Sequence, residues 1–153
     1  MKYCIDTSSI IHAWVEAYPP DNFPLLWQKI DDFVGKGKII SSEEVLRELK
    51  KKHDSAYQWA KAHTGIFLPI DDSTQHLVVK IMANHKRLVD TRTGRMGADP
   101  FVIALAALKK STLVTNELPT NNLAKPNIPD VCNAMKIGCC NLLQMIQAEG
   151  WVF

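Results

Sequence analysis

The sequence predicts an α/β domain with a largely parallel sheet. Three observations carry that expectation. Short apolar runs, Tyr3-Cys-Ile5, Lys38-Ile-Ile-Ser41 and Thr112-Leu-Val-Thr115, stop abruptly at acids or polar residues, as buried strands do. Between them lie longer segments with apolar residues at helical spacing. One of these, Phe101–Leu108, is apolar on nearly every side and must be buried. Strands alternating with helices in this way build one domain around a parallel sheet.

Taken in order, Tyr3–Ile5 forms the first strand and halts at Asp6, where Thr7, Ser8 and Ser9 supply capping hydroxyls ahead of Ile10 and Ile11. A helix over Ser9–Tyr18 ends at Tyr18-Pro-Pro-Asp21. Pro24 opens a second helix with Leu26, Trp27, Ile30, Phe33 and Val34 on one face, closed by Gly35 and Gly37. After the strand at Lys38–Ser41, Ser41-Ser-Glu-Glu44 reads as a capping box. Its helix carries Val45, Leu46 and Leu49 inward and runs into Lys50-Lys-Lys-His53. A short helix around Tyr57–Ala60, an apolar connection at Ile66–Ile70 and a helix over Ser73–His85 follow.

Leu88–Gly97 is a polar loop, and Asp99-Pro100 starts the buried helix. Beyond the strand at Thr112–Thr115, Asn121–Pro129 is a loop and Ile128–Cys132 a turn of helix. Met135–Ile137 is expected as a last strand and Asn141–Ala148 as a last helix, with Trp151-Val-Phe153 docking on the domain.

With 153 residues, 46% hydrophobic and a net charge of +2, the chain suits one globular domain spanning residues 1–153 and not a disordered tail. The mild positive balance permits a nucleic-acid partner. No apolar run approaches the roughly 18 residues that span a bilayer, and the start is an acid-bearing strand rather than a signal segment. Cys4, Cys132, Cys139 and Cys140 form neither a plausible disulfide framework nor a C-x-x-C pair. A cytoplasmic protein with reduced thiols is expected.

Four acids stand out by position. Asp6 ends the first strand, Glu48 lies on the helix after the second, Asp99 begins the buried helix, and Glu117 follows the third apolar run. In a doubly wound sheet, strand C-termini and the N-termini of following helices share one edge, so these four can converge. Each also has a purely structural reading: Asp6 and Asp99 as helix caps, Glu48 as the i,i+4 partner of Lys52, Glu117 as a loop acid. Carboxylates crowded together repel unless a cation sits among them, which points to a hard divalent ion, Mg²⁺ or Mn²⁺. Such a site suits phosphodiester hydrolysis. Basic runs flank it: Lys50–Lys52 after Glu48, and Arg87, Arg92 and Arg95 before Asp99, of which Arg92 and Arg95 are the candidates for substrate contact.

The order of these motifs resembles the PIN domain, the family of metal-dependent ribonucleases that includes VapC-type toxins. Tyr3-Cys-Ile-Asp-Thr-Ser8, Val45-Leu-Arg-Glu-Leu49, Gly97-Ala-Asp-Pro-Phe-Val-Ile-Ala104 and Val114-Thr-Asn-Glu117 match its four motifs in sequence. Glu117 stands where Asp is commoner. The resemblance implies a three-layer α/β/α domain with a mainly parallel central sheet of about five strands, and Asp6, Glu48, Asp99 and Glu117 as catalytic metal ligands. It also implies orienting roles for the Ser8 and Thr115 hydroxyls. The expected activity is a metal-dependent endoribonuclease acting as the toxin of a type II pair, with RNA as substrate, an antitoxin as partner and a homodimer as assembly. The alternatives are a PIN-like module that binds RNA or protein without cutting, and a metal-dependent phosphatase. The phosphatase reading lacks its second aspartate, since Ser8 occupies that position. Trp14, Trp27, Trp59, Lys125 and Asp130 fall outside the toxin pattern, and the last two are weighed as additions to the site or as ordinary surface residues.

Overall fold

The first strand, β1 (Tyr3–Ile5), runs through the middle of a five-stranded sheet in a computed structural model that describes residues 2–88 and 97–153. Its neighbours are β2 (Ile39–Ser42) on one side and β4 (Thr112–Val114) on the other. The outer strands are β3 (Phe67–Leu68), beside β2, and β5 (Cys139–Cys140), beside β4. The order is therefore β3-β2-β1-β4-β5, and every pairing is parallel. Every residue of β1 and β2 is buried, which requires helices on both faces and gives the three-layer α/β/α, PIN-like architecture. From β1 the chain moves outward through β2 to β3, then returns to the other side of β1 as β4. The order reverses between β1 and β4, and that switch point is where open α/β sheets bind ligands.

Eight α-helices occur among the described residues: α1 (Thr7–His12), α2 (Pro24–Gly35), α3 (Glu43–Lys52), α4 (Asp54–Ala62), α5 (Asp72–Asn84), α6 (Asp99–Leu108), α7 (Ile128–Met135) and α8 (Leu142–Ala148). The most apolar, α6, packs on α5 and on β1, β2 and β4, with Val102, Ile103 and Ala104 wholly buried. None of the described helices is long and apolar enough to cross a membrane. All four cysteines are free thiols.

After α1 the helix widens into a π turn over Ala13–Ala17, closed by the Tyr18 N–H on the Ala13 carbonyl at 2.9 Å. Trp14 then meets Trp27 of α2 edge-on at 4.8 Å, and Trp27 meets Trp59 of α4 at 5.3 Å. Each indole N–H has an acceptor: Ser55 Oγ for Trp14, the Tyr18 carbonyl for Trp27 and Asp31 Oδ1 for Trp59. The tryptophans outside the toxin pattern thus join α1, α2 and α4. Trp151 docks as expected, edge-on to Phe33 at 4.7 Å.

Several local expectations are corrected. The cap of α3 is Ser42, whose Oγ accepts from the Glu44 N–H at 3.2 Å; Ser41 instead lies inside β2 and donates to the Ile5 carbonyl at 2.6 Å. Asp6 itself caps α1, rather than Thr7, Ser8 or Ser9. Asp99 is not a cap: it occupies the first turn of α6, with Ala98 at the cap position and no side-chain cap bond. The last strand is not Met135–Ile137. Met135 closes α7, Lys136 takes a left-handed conformation (φ 59°), and the Ile137 N–H returns to the Cys132 carbonyl at 2.8 Å. This is a Schellman-type stop that consumes those residues and leaves Cys139–Cys140 to pair with Leu113–Val114.

Candidate active site at the β1–β4 switch point

The pocket is built from the end of β1. Asp6 follows the last residue of that strand in extended backbone (φ −93°, ψ 173°) and is 2% exposed. Its Oδ1 accepts the Ser9 N–H at 2.8 Å, the α1 cap, and the Ser9 hydroxyl at 2.8 Å. The Ser8 hydroxyl lies 3.0 and 2.9 Å from its two oxygens, and the Thr115 hydroxyl donates to Oδ2 at 2.5 Å. Burial pushes this carboxyl above its ordinary value, against the pull of the Thr115, Ser9 and Ser8 donors.

Hydroxyls also tie the two strand ends together. Ser9 Oγ reaches the Val114 carbonyl at 3.0 Å, Ser8 Oγ accepts the Asn116 N–H at 3.1 Å, and Thr115 Oγ1 accepts the Glu117 N–H at 3.1 Å. Asp6 and Glu117 are held on adjacent strand ends by this network. Thr7, Ser9 and Asn116 belong to it but had no distinguishing mark in the sequence beyond helix-cap chemistry.

Glu48, half-buried on α3, leans toward the same edge. Its Oε1 accepts the Thr7 hydroxyl at 2.8 Å, while Oε2 lies 3.4 Å from Lys52 Nζ. The i,i+4 pairing and the tie to the pocket therefore coexist. Gly97, just ahead of α6, approaches so closely that a Cβ there would sit 3.9 Å from Glu48 Oε2. Asp99 follows two residues later, half-buried, with no hydrogen-bond partner on its carboxyl among the described residues.

The electrostatics record the crowding. Burial, then the charges of Glu117, Asp6 and Glu48, push the Asp99 carboxyl up to about 8, with Lys52 pulling the other way. Burial likewise raises Glu117, opposed by the Ile128 N–H on its Oε2 at 3.1 Å and reinforced by the Asp6 and Glu48 charges. Asp99 and Glu117 thus both feel the charges of Asp6 and Glu48 across the switch point, with Lys52 opposing them at each.

Among the described residues, no three His, Cys, Asp or Glu side chains are gathered into a group that could hold a metal ion as they stand. The donor chemistry nevertheless fits one. All four groups are carboxylates, and among the described residues Asp99 has no competing donor and Glu117 engages one oxygen, on Ile128. Such a set suits a hard cation that keeps several of its waters and so needs few direct protein ligands.

Asp130 is bound into the loop before α7, beside Glu117. Its Oδ1 accepts the Asn121 N–H at 2.9 Å; its Oδ2 accepts the N–H groups of Thr120 at 2.9 Å and Asn127 at 2.8 Å, and the Thr120 hydroxyl at 3.0 Å. Burial alone would raise this carboxyl, but the donors outweigh it and hold it below the usual range. Asp130 organises the loop before α7, and the pattern Asn127-x-x-Asp130 is a capping box that could have announced it. Lys125 lies exposed in that loop. Arg92 and Arg95 lie outside the described residues.

A five-stranded, all-parallel sheet between two layers of helices gives the chain a PIN-like α/β/α fold. The chain belongs to the family described as Domain of unknown function (DUF4411), whose model matches residues 3–153. Among solved structures it shares its fold with FitAcB from Neisseria gonorrhoeae, at 15% identity and a TM-score of 0.54, over 91% of this chain and 96% of that one. No curated protein sequence matches it.

Proposed function

We propose that this chain is a Mg²⁺- or Mn²⁺-dependent endoribonuclease, the toxin of a type II toxin–antitoxin pair. The observation that carries the reading is the convergence of Asp6, Glu48, Asp99 and Glu117 at the β1–β4 switch point, where burial, reinforced by repulsion from the other three, lifts Asp99 to about 8. A dication would relieve that repulsion. Bound there, it would supply an activated water and neutralise charge on the departing oxygen. Asp99 and the free oxygen of Glu117 are the open ligands, while Asp6 and Glu48 set the field. Ser8 and Thr115 keep Asp6 in one orientation, and Lys52 offers a positive charge for an incoming phosphate. The motif resemblance supports the toxin role, with an antitoxin and a second copy of the chain as partners. The free thiols suit a cytoplasmic setting.

Purified chain incubated with single-stranded RNA should cut it with Mn²⁺ and not with EDTA, and Asp6→Asn and Asp99→Asn should each abolish cleavage while leaving the circular dichroism unchanged. Cleavage persisting in both variants overturns the assignment. A second reading, a PIN-like RNA-binding module that does not cut, is favoured by the four donor groups already engaging Asp6. Calorimetry separates the two: no heat of Mn²⁺ binding by the folded chain selects the second.

A further inference from the structure

A groove of about 770 Å³ opens beside the acids, sharing Thr115 and Glu117 with them. The segment after β4 walls one side; α7, β5 and the start of α8 wall the other. Its volume falls within the roughly 300–1,000 Å³ of small-molecule sites. Its lining is unusual: six carboxamides, Asn116, Asn121, Asn122, Asn133, Asn141 and Gln144, contribute to it, alongside the apolar surfaces of Leu118, Leu123 and Pro129. No Lys, Arg or His lines it among the described residues, and its two charged side chains, Glu117 and Asp130, are acids holding backbone N–H groups. A phosphate would find no cation there. A neutral, flat group with apolar faces and a hydrogen-bonding edge fits, and an unpaired nucleobase is such a group.

Two of the carboxamides are fixed in orientation. Asn141 Oδ1 accepts the Gln144 N–H at 2.8 Å, and Gln144 Oε1 accepts the Asn141 N–H at 2.9 Å, which closes the capping box of α8. Their oxygens are directed at the backbone N–H groups of the α8 cap, which leaves the NH₂ groups as the donors these two side chains offer a ligand. Asn133, exposed on α7, adds a carboxamide that makes no hydrogen bond among the described residues. Amide donors in the lining match an edge with adjacent acceptors, such as O6 and N7 of guanine; adenine presents an amino group beside N7 instead.

We propose that this groove reads one unpaired base next to the phosphate held at the acid cluster, favouring guanine over adenine, with Asn133, Asn141 and Gln144 as specificity-determining residues. The proposal rests on the ribonuclease reading for its ligand, but it is tested without cleavage. In EDTA, ¹⁵N-labelled chain titrated with single-stranded pentanucleotides carrying one central G or A should show the side-chain NH₂ signals of Asn133, Asn141 and Gln144 moving. The G oligonucleotide should bind about tenfold tighter by anisotropy, since one good bidentate contact discriminates by at least that much. Gln144→Glu keeps the oxygen that caps α8 but replaces the donor by an acceptor. It and the neutral Asn133→Ala should each bring the G-to-A ratio within about twofold, at unchanged melting temperature; a uniform loss from the added charge would leave the ratio intact.

Unmoved carboxamide signals, a wild-type ratio near one, or variants that keep the wild-type ratio overturn the groove assignment. If the signals move and the ratio responds but no Mn²⁺-dependent cleavage is found, the nuclease reading fails and the groove stands. Cleavage by a chain whose groove signals stay still leaves the nuclease reading and removes the groove.

Discussion

Replacing Asp99 by Asn should stabilise the metal-free protein, and by an amount that depends on pH. Asp99 titrates near 8 in the folded chain against an ordinary value of 3.8. The folded state therefore holds a proton that the unfolded state has released, and stability falls as pH rises between those values, by about 1.4 kcal/mol per unit. Below about pH 4 both states are protonated and the cost vanishes; above about 8 it is complete. The full span corresponds to a ceiling on the order of 5 kcal/mol, and sharing of the proton with Glu117 together with partial exposure reduces it to about 2–4 kcal/mol. Asparagine has the same shape and no charge to lose. Its loss of a favourable helix N-terminal charge is small, because the native carboxyl is protonated at neutral pH and supplies little of it.

Urea unfolding followed by tryptophan fluorescence, with EDTA at pH 5, 6, 7 and 8, measures the gap between wild type and Asp99→Asn. The gap should widen by about 1–2 kcal/mol from pH 5 to pH 7. Added Mg²⁺ should then stabilise the wild type more than the variant, since ligand binding to the folded state alone adds stability. A gap that ignores pH, or a variant less stable than wild type at pH 8, refutes the crowding that the candidate site is built on.

Other outcomes follow from the same structure. Ser9→Ala removes a buried hydroxyl shared by Asp6 and the Val114 carbonyl, and should cost about 1–3 kcal/mol in urea unfolding. Trp27→Ala opens the centre of the tryptophan cluster and should cost roughly 3–5 kcal/mol, a fall in Tm on the order of 10 °C by calorimetry. Asp130, whose carboxyl is held below its ordinary value, contributes stability above about pH 4 that is lost as pH falls through its folded value; Asp130→Ala should abolish that acid dependence in pH-resolved melts. Lys136→Gly relieves a left-handed residue at the end of α7 and should raise stability by about 0.5–1 kcal/mol.

Much of this architecture could be read from sequence because its signals are local. Tyr3–Ile5, Ile39–Ile40 and Leu113–Val114 are short apolar runs with polar stops, and the buried helix carries its character in nearly every residue. The edge strands gave no such signal. Phe67–Leu68 is two residues within a longer apolar stretch, and Cys139–Cys140 has neither alternation nor strong strand preference, whereas Met135–Ile137 resembles a strand better but is consumed by the end of α7. Asp6, Asp99 and Glu117 stood out because each lies at an element boundary, which sequence marks, and Glu48 because it follows Glu44 of the expected capping box by about one turn of helix. Their supports did not: the Thr7 bond to Glu48 and the Ser9 bond to Val114 join residues 41 and 105 positions apart, and only the sheet order decides that they meet. Neither was the carboxamide groove visible, because its walls come from three segments brought together by β5 pairing with β4.

The ties between the β1 and β4 ends also fix when the acid cluster can assemble during synthesis. Asp6 leaves the ribosome early, yet its Thr115 partner and the Ile128 N–H that anchors Glu117 are made more than a hundred residues later. Until residue 128 has cleared the exit tunnel, β1 lacks the neighbour that completes its carboxylate network. The acid cluster and its hydroxyl supports therefore assemble only in the last stretch of translation, and Asp6 spends most of synthesis without the partners that orient it.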